Sequence, residues 1–155
     1  DAGAVGSPTR PSSARILRDR TYHPPTEPTM LRDALFAKIH YATVTECKLE
    51  YTGSIVIDQD LLDATGLVPN EKVLVADCEN GNRYETYVFP GERGSGIIGI
   101  NGAAARLTGL GHRLIILAFC QLDAAELAGH RPKVVVCDAD NRIEQLIEYD
   151  AAVPV

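Results

Sequence analysis

The apolar residues of this chain come in short runs, and that brevity limits the folds open to it. KVLVAD (72–77), IIGI (97–100), RLIILAFC (113–120) and KVVVCD (133–138) are rich in Val and Ile, and each gives way within a few residues to Asp or Asn. None approaches the roughly 20 apolar residues of a membrane-spanning helix. Runs of this length and composition, bounded by turn residues, read as strands. AKIHYATVTE (37–46) alternates around Ile39, Tyr41, Thr43 and Thr45, the period of a strand with two unlike faces.

The segments between these runs carry their own signals. KLEY (48–51) and IVI (55–57) read as strand on either side of a Gly53-Ser54 break. DQDLLDATG (58–66) reads as a short helix with Asp58 as N-cap, Leu61 and Leu62 as apolar contacts and Gly66 just past its end. ENGN (79–82) supplies an Asn-Gly hairpin turn into RYETYVF (83–89). GERGSG (91–96) is a loop, NGAAARLTGLG (101–111) mixes a turn with a helical turn, and ADN (139–141) turns the chain into RIEQLIEY (142–149). Seven or so short strands and one or two brief helices predict a mainly-β barrel rather than a sandwich or a βαβ sheet.

At 155 residues and 45% hydrophobic composition the chain is expected to form one domain with its own core. Residues 1–29 stand apart: they are rich in Pro, Ser, Thr and Arg, carry no periodicity and contain no signal-type apolar stretch. They read as a disordered extension, or as added or mis-started sequence, with ordered sequence beginning at Met30. The formal charge of -6 argues against nucleic acid as a partner, since phosphates would be repelled. No membrane partner is expected either. Cys47, Cys78, Cys120 and Cys137 are widely spaced with no CxxC pair, and the four His are equally scattered. That pattern predicts no metal site and no disulfide framework, and suits a reducing cytoplasm.

Gly53-Ser54 admits two readings. The plain one is a tight turn. The chemical one begins with the serine hydroxyl and the carbonyl immediately before it. A Gly at 53 permits unusual backbone geometry and removes the side chain that would crowd a tetrahedral intermediate. Attack by Ser54 turns the amide into an ester, β-elimination cuts the chain, and the resulting dehydroalanine hydrolyses to a pyruvoyl group. The product is a ketone at a new chain terminus.

The surroundings of this dipeptide form an ordered set of signatures: Lys38-x-His40, Tyr51-x-Gly53-Ser54, Asp58-Gln59, Asn80-Gly81-x-Arg83, Thr86-Tyr87, Glu92-Arg93-Gly94-Ser95 and Asn101-Gly102-Ala103-Ala104-Ala105. From Met30 to about Tyr149 the chain resembles the pyruvoyl-dependent L-aspartate 1-decarboxylases. The resemblance implies a six-stranded double-psi β-barrel over residues 30–155, assembled as a homotetramer with active sites between subunits. It implies cleavage, spontaneous or aided by a maturation factor, into a β chain ending at Gly53 and an α chain beginning at position 54. Ser54 matches the serine that becomes the pyruvoyl group, the covalent cofactor that forms a Schiff base with L-aspartate.

Other positions carry over in the same way. Thr86 matches a threonine of self-processing and substrate contact, and Asn101 lies beside it in the family. Lys38, His40 and Arg83 match basic pocket residues, with Arg83 pairing a substrate carboxylate as a planar bidentate donor can. Tyr87 matches the proton donor. Gly102, Ala103 and Ala104 match a backbone segment that meets substrate through its N–H groups. The implied activity converts L-aspartate to β-alanine and CO2 for pantothenate and coenzyme A synthesis.

Each residue also has a plainer reading. Lys38 and Arg83 fit surface charges, His40 a structural histidine, and Thr86 and Tyr87 ordinary strand residues. Asn101-Gly102 alone is a turn. Strand alternation places Arg83 and Tyr87 on one face and Thr86 on the other. Two further functions remain open on the residues alone: a non-enzymatic β-barrel binding module that stays a single chain, and a related pyruvoyl enzyme acting on another amino acid.

Overall fold

The computed structural model describes residues 29–149. Residues 1–28 and 150–155, and with them nearly all of the predicted amino-terminal extension, lie outside the described part. The fold is mainly β, with nine strands among the described residues instead of the seven or so predicted. In chain order they are β1 (Arg32–Thr43), β2 (Glu46–Lys48), β3 (Ser54–Asp58), β4 (Lys72–Asp77), β5 (Arg83–Gly91), β6 (Ile98–Asn101), β7 (Arg113–Leu122), β8 (Lys133–Cys137) and β9 (Ile143–Glu148). Helix α1 (Gln59–Thr65) follows β3, and α2 (Ala124–Gly129) follows β7. A 3₁₀ turn, Gly102–Arg106, follows β6.

The strands form one ladder in the order β2-β6-β3-β5-β4-β7-β1-β8-β9. Three pairings are parallel, β1 with β8, β2 with β6 and β3 with β5, and the others are antiparallel. One side chain ties the β8–β9 end of this ladder to β1 and to the loop before β6. The Asn141 amide, between β8 and β9, donates to the Gly96 carbonyl at 2.7 Å and to the Thr43 carbonyl at 2.8 Å. Asn141 reaches that position with a left-handed φ of 58°, a conformation Asn tolerates better than most residues.

The core is aliphatic. Ile39, Ile55, Ile57, Val75, Val88, Ile98, Ile100, Leu114 and Ile116 are fully buried, and each such side chain is worth roughly 1.5–3 kcal/mol of transfer free energy. Helix α1 adds Leu61 and Leu62. Its ends are those the sequence predicts: the Asp58 carboxylate accepts from Asp60 N–H at 2.9 Å, and Gly66, at φ 78°, donates to the Leu62 carbonyl at 2.8 Å.

The same Asp58 also accepts from Gly94 N–H at 2.9 Å and Gly96 N–H at 2.6 Å. One carboxylate thus caps a helix and closes the GERGSG loop onto it.

Candidate active site

Gly53 and Ser54 stand where β3 begins, between two strands that set what faces them. On one side β6 pairs antiparallel, with Ser54 opposite Asn101. On the other, β5 pairs parallel, with Ile55 beside Val88. One residue upstream on each strand stand Ser54 and Tyr87, and one further Gly53 and Thr86. Laterally paired residues point to the same face, so Ser54, Asn101 and Tyr87 share one face of the sheet. Arg83, four residues before Tyr87, shares it too, while Thr86 lies on the opposite face, as the alternation predicts.

Burial follows this register. On β5, Tyr84 and Val88 are buried, Thr86 is half-buried, and Arg83 and Tyr87 are exposed. Ser54 and Asn101 are both buried, and the Asn101 amide donates to the Ser54 hydroxyl oxygen at 3.1 Å. A hydroxyl that accepts this bond keeps its own proton free to leave, which a nucleophilic serine needs.

The backbone beyond Asn101 folds back over the break. Gly102 has φ 68°, and a Cβ there would stand 2.8 Å from Gly53 Cα and 3.0 Å from Gly53 N. Only glycine fits so close to the Gly53 backbone. Ala103 is exposed and Ala104 half-buried on the turn that follows. The structure therefore brings Gly53, Ser54, Asn101 and Gly102 together, with Tyr87 on the adjacent strand and the same face and Thr86 on the opposite face.

Lys38 and His40 are not part of that group. They lie on β1, four strands from β3 along the ladder, and no hydrogen bond or ladder pairing links them to it among the described residues. The Lys38 ammonium sits 6.0 Å from the Tyr149 ring centroid. The His40 ring lies 3.8 Å from that of Tyr41, and its Nδ1 is buried with no hydrogen-bond partner. Burial, helped by the Lys38 charge, holds the His40 pKa below its ordinary value. Tyr41 takes a left-handed φ of 63° at a register shift of β1, an uncommon backbone state for a bulky residue.

One group of residues escaped sequence reasoning. Asp77, Glu79 and His112 bring ligand-type atoms within 4.8 Å of one another. Their oxygens are already engaged. Asp77 accepts from Glu79 N–H, Asn80 N–H, the Thr108 hydroxyl and His112 Nδ1, while Glu79 binds the Arg113 backbone and guanidinium. Burial alone would raise the Asp77 pKa, but these hydrogen bonds outweigh it and hold the carboxyl below its usual value. The arrangement is a hydrogen-bonded hub, and its residues are too far apart in sequence for a spacing rule to find.

A family description, Aspartate decarboxylase, matches residues 30–144. An aspartate 1-decarboxylase of Neisseria meningitidis is 53% identical over 121 residues, covering 78% of this chain and 95% of that protein. The chain belongs to the aspartate decarboxylase family. Two further aspartate 1-decarboxylases, from a Geobacillus species and from Bacillus subtilis, are 51% and 50% identical over 123 residues, covering 79% of this chain and 97% of each relative. Membership in the aspartate decarboxylase family makes the chain a decarboxylase.

Proposed function

We propose that this chain is a self-processing aspartate 1-decarboxylase that converts L-aspartate to β-alanine and CO2. The observation that carries the self-processing half is the Asn101–Ser54 hydrogen bond at the start of β3, with Gly102 packed on the Gly53 backbone. In this reading Ser54 Oγ attacks the Gly53 carbonyl carbon while its proton passes to the departing amide nitrogen. The C–N bond becomes a C–O ester. Loss of the Ser54 α-proton expels the Gly53 carboxylate, and hydrolysis of the remaining enamine releases ammonia. In this reading Thr86, on the adjacent strand β5, is the donor that polarises that carbonyl, and it reaches the site through a strand twist or a subunit boundary because its side chain leaves the sheet on the other face.

The residues fit a pyruvoyl group at position 54: the serine is buried, an amide donor faces it, and no side chain at 53 or 102 intrudes. That group supplies a ketone able to take up electrons as a carboxylate leaves. The chain's own residues do the rest. Arg83 binds the side-chain carboxylate of the substrate, and N–H groups of Gly102, Ala103 and Ala104 receive the other polar end. Tyr87, on the Ser54 face, delivers a proton to the former Cα.

The same reading takes the ladder as a double-psi barrel of six core strands, which the Asn141 bond from the β8–β9 turn to Gly96, in the loop before β6, supports. It takes the assembly as a homotetramer. Lys38 and His40 stand apart from Ser54 in one chain, so a neighbouring subunit supplies them. Phe89, Phe119 and Leu146, each about half exposed, fit buried subunit contacts. Four free cysteines and no helix able to cross a membrane among the described residues support a cytoplasmic place.

An intact mass spectrum of the purified protein tests the reading. Two chains divided between Gly53 and Ser54 are expected, the larger lighter by one ammonia than the product of hydrolysis alone. A single chain that stays uncut after warm incubation overturns spontaneous self-processing. Turnover of L-glutamate in preference to L-aspartate overturns the substrate.

A further inference from the structure

Arg83 is exposed, and among the described residues its guanidinium makes no side-chain hydrogen bond or ion pair. Where that guanidinium can reach is therefore set by the backbone from which it springs. Arg83 opens β5, directly after the turn joining β4 to β5. That turn is built on Asp77. Its N–H donates to the Asn82 carbonyl and its carbonyl accepts from Gly81 N–H, both at 2.9 Å. Its fully buried carboxylate accepts from Glu79 N–H at 2.9 Å and Asn80 N–H at 3.3 Å through one oxygen. The other oxygen takes the Thr108 hydroxyl at 2.6 Å and His112 Nδ1 at 2.7 Å.

The turn is tied to a second segment by two more bonds. Asn80 and Asn82 both donate side-chain N–H groups to the Leu107 carbonyl, at 2.9 and 2.8 Å. Leu107 N–H in turn donates to the Ala104 carbonyl at 2.9 Å and ends the 3₁₀ turn that starts at Gly102. One carboxylate thus joins the start of Arg83's strand to the end of the Gly102–Ala104 backbone, the two elements between which the substrate's charged ends are to be held.

We propose that Asp77 is a positioning residue for substrate recognition, fixing Arg83 at a set distance from the 102–104 backbone through the Asn80/Asn82–Leu107 tie. The inference rests on the reading of Arg83 as the carboxylate anchor. It requires geometry and not charge: Asn at 77 keeps a carbonyl for the Glu79 and Asn80 N–H groups, and its amide can donate to the Thr108 oxygen or to unprotonated His112 Nδ1.

The test uses processed full-length protein, with processing confirmed by mass and folding by thermal unfolding. Two quantities are read: KM and kcat for L-aspartate, and the calorimetric affinity for succinate, which has two carboxylates and no amino group. Asp77→Ala is expected to raise KM and weaken succinate about tenfold, with kcat nearly kept, and Asp77→Asn to restore most of the loss. Should Asp77→Ala not fold, Asn80→Ala with Asn82→Ala, both on exposed side chains, is expected to give the same split. Arg83→Ala is the reference. If it leaves succinate binding unchanged, the anchor reading fails and this inference with it. If it weakens succinate while the Asp77 and Asn80/Asn82 variants lower only the unfolding temperature, the positioning role alone is overturned. A fall in kcat at constant KM overturns it as well.

Discussion

The Asn101 amide donates to the Ser54 hydroxyl oxygen across the β3–β6 pair, 3.1 Å away and out of reach of solvent. Neither group has room to exchange its partner for bulk water. Replacing Asn101 by Ala leaves the Ser54 hydroxyl without its donor, at a cost of about 1–3 kcal/mol for a buried polar group left unpaired. Asn101→Ala is expected to slow the cut at Gly53/Ser54 by about tenfold to a hundredfold. A time course of intact masses, starting from freshly purified protein, measures this directly. An unchanged rate removes Asn101 from processing.

Gly102→Ala is expected to be worse than a surface Gly→Ala exchange. The new Cβ meets Gly53 Cα at 2.8 Å, and the position sits at φ 68°. Backbone strain of this kind costs about 1–3 kcal/mol, and the displaced partner is Gly53, whose bond to Ser54 is the one proposed to be cut. Both a lower unfolding temperature and loss of cleavage are expected. Gly81, also at positive φ but with open space around it, serves as the control: Gly81→Ala carries strain without displacing Gly53.

Tyr87→Phe separates the two chemistries. Tyr87 faces the Ser54 side of the sheet yet stays 41% exposed, so removing its hydroxyl leaves the core intact. Normal cleavage is expected, with turnover of L-aspartate lowered about 10²–10⁴-fold, the usual worth of a proton donor. Wild-type turnover in this variant would assign the proton to another group.

Asp58 makes the fold sensitive to acid. Burial by itself raises its pKa, but N–H donors from Asp60, Gly96 and Gly94, with the Arg142 charge, pull it below the ordinary 3.8. The ionised form is thus favoured in the folded chain. Its stabilisation is complete above the unfolded value and is lost as pH falls through the lowered folded value. Denaturant titrations from neutral pH downward are expected to show stability falling in the region below pH 3.8. Asp58→Asn is expected to flatten that dependence, and Asp58→Ala to cost about 3 kcal/mol at neutral pH.

What could be read in advance was local. Asp58 and Gly66 announce helix α1 by their chemistry at its two ends, and the alternation of RYETYVF predicts which face of β5 each side chain takes. The hairpin after β4 was legible from Asn80-Gly81, but its true width, Asp77 to Asn82, was not, because the buried carboxylate that sets it contacts Thr108 and His112 more than thirty residues away. Helix α2 was missed although its signal was present: Asp123 and Glu126 form a reciprocal capping box, and six residues are too few for any periodicity to rise above it. The separation of Lys38 and His40 from Ser54 was likewise hidden, since it depends on the order in which strands pair and not on the composition of any strand.

Strands β1 and β2 both precede Gly53, and β1 lies in the interior of the ladder between β7 and β8, with Ile39 fully buried. With the proposed cut after Gly53, the smaller piece would be interleaved with strands of the larger one and not appended to it. On that reading folding comes first, while the chain is continuous, and cutting second. A processed molecule that is later denatured faces a two-body search that the newly made chain never met. Its recovery should depend on protein concentration, whereas that of an uncut Ser54→Ala chain should not until subunits begin to assemble.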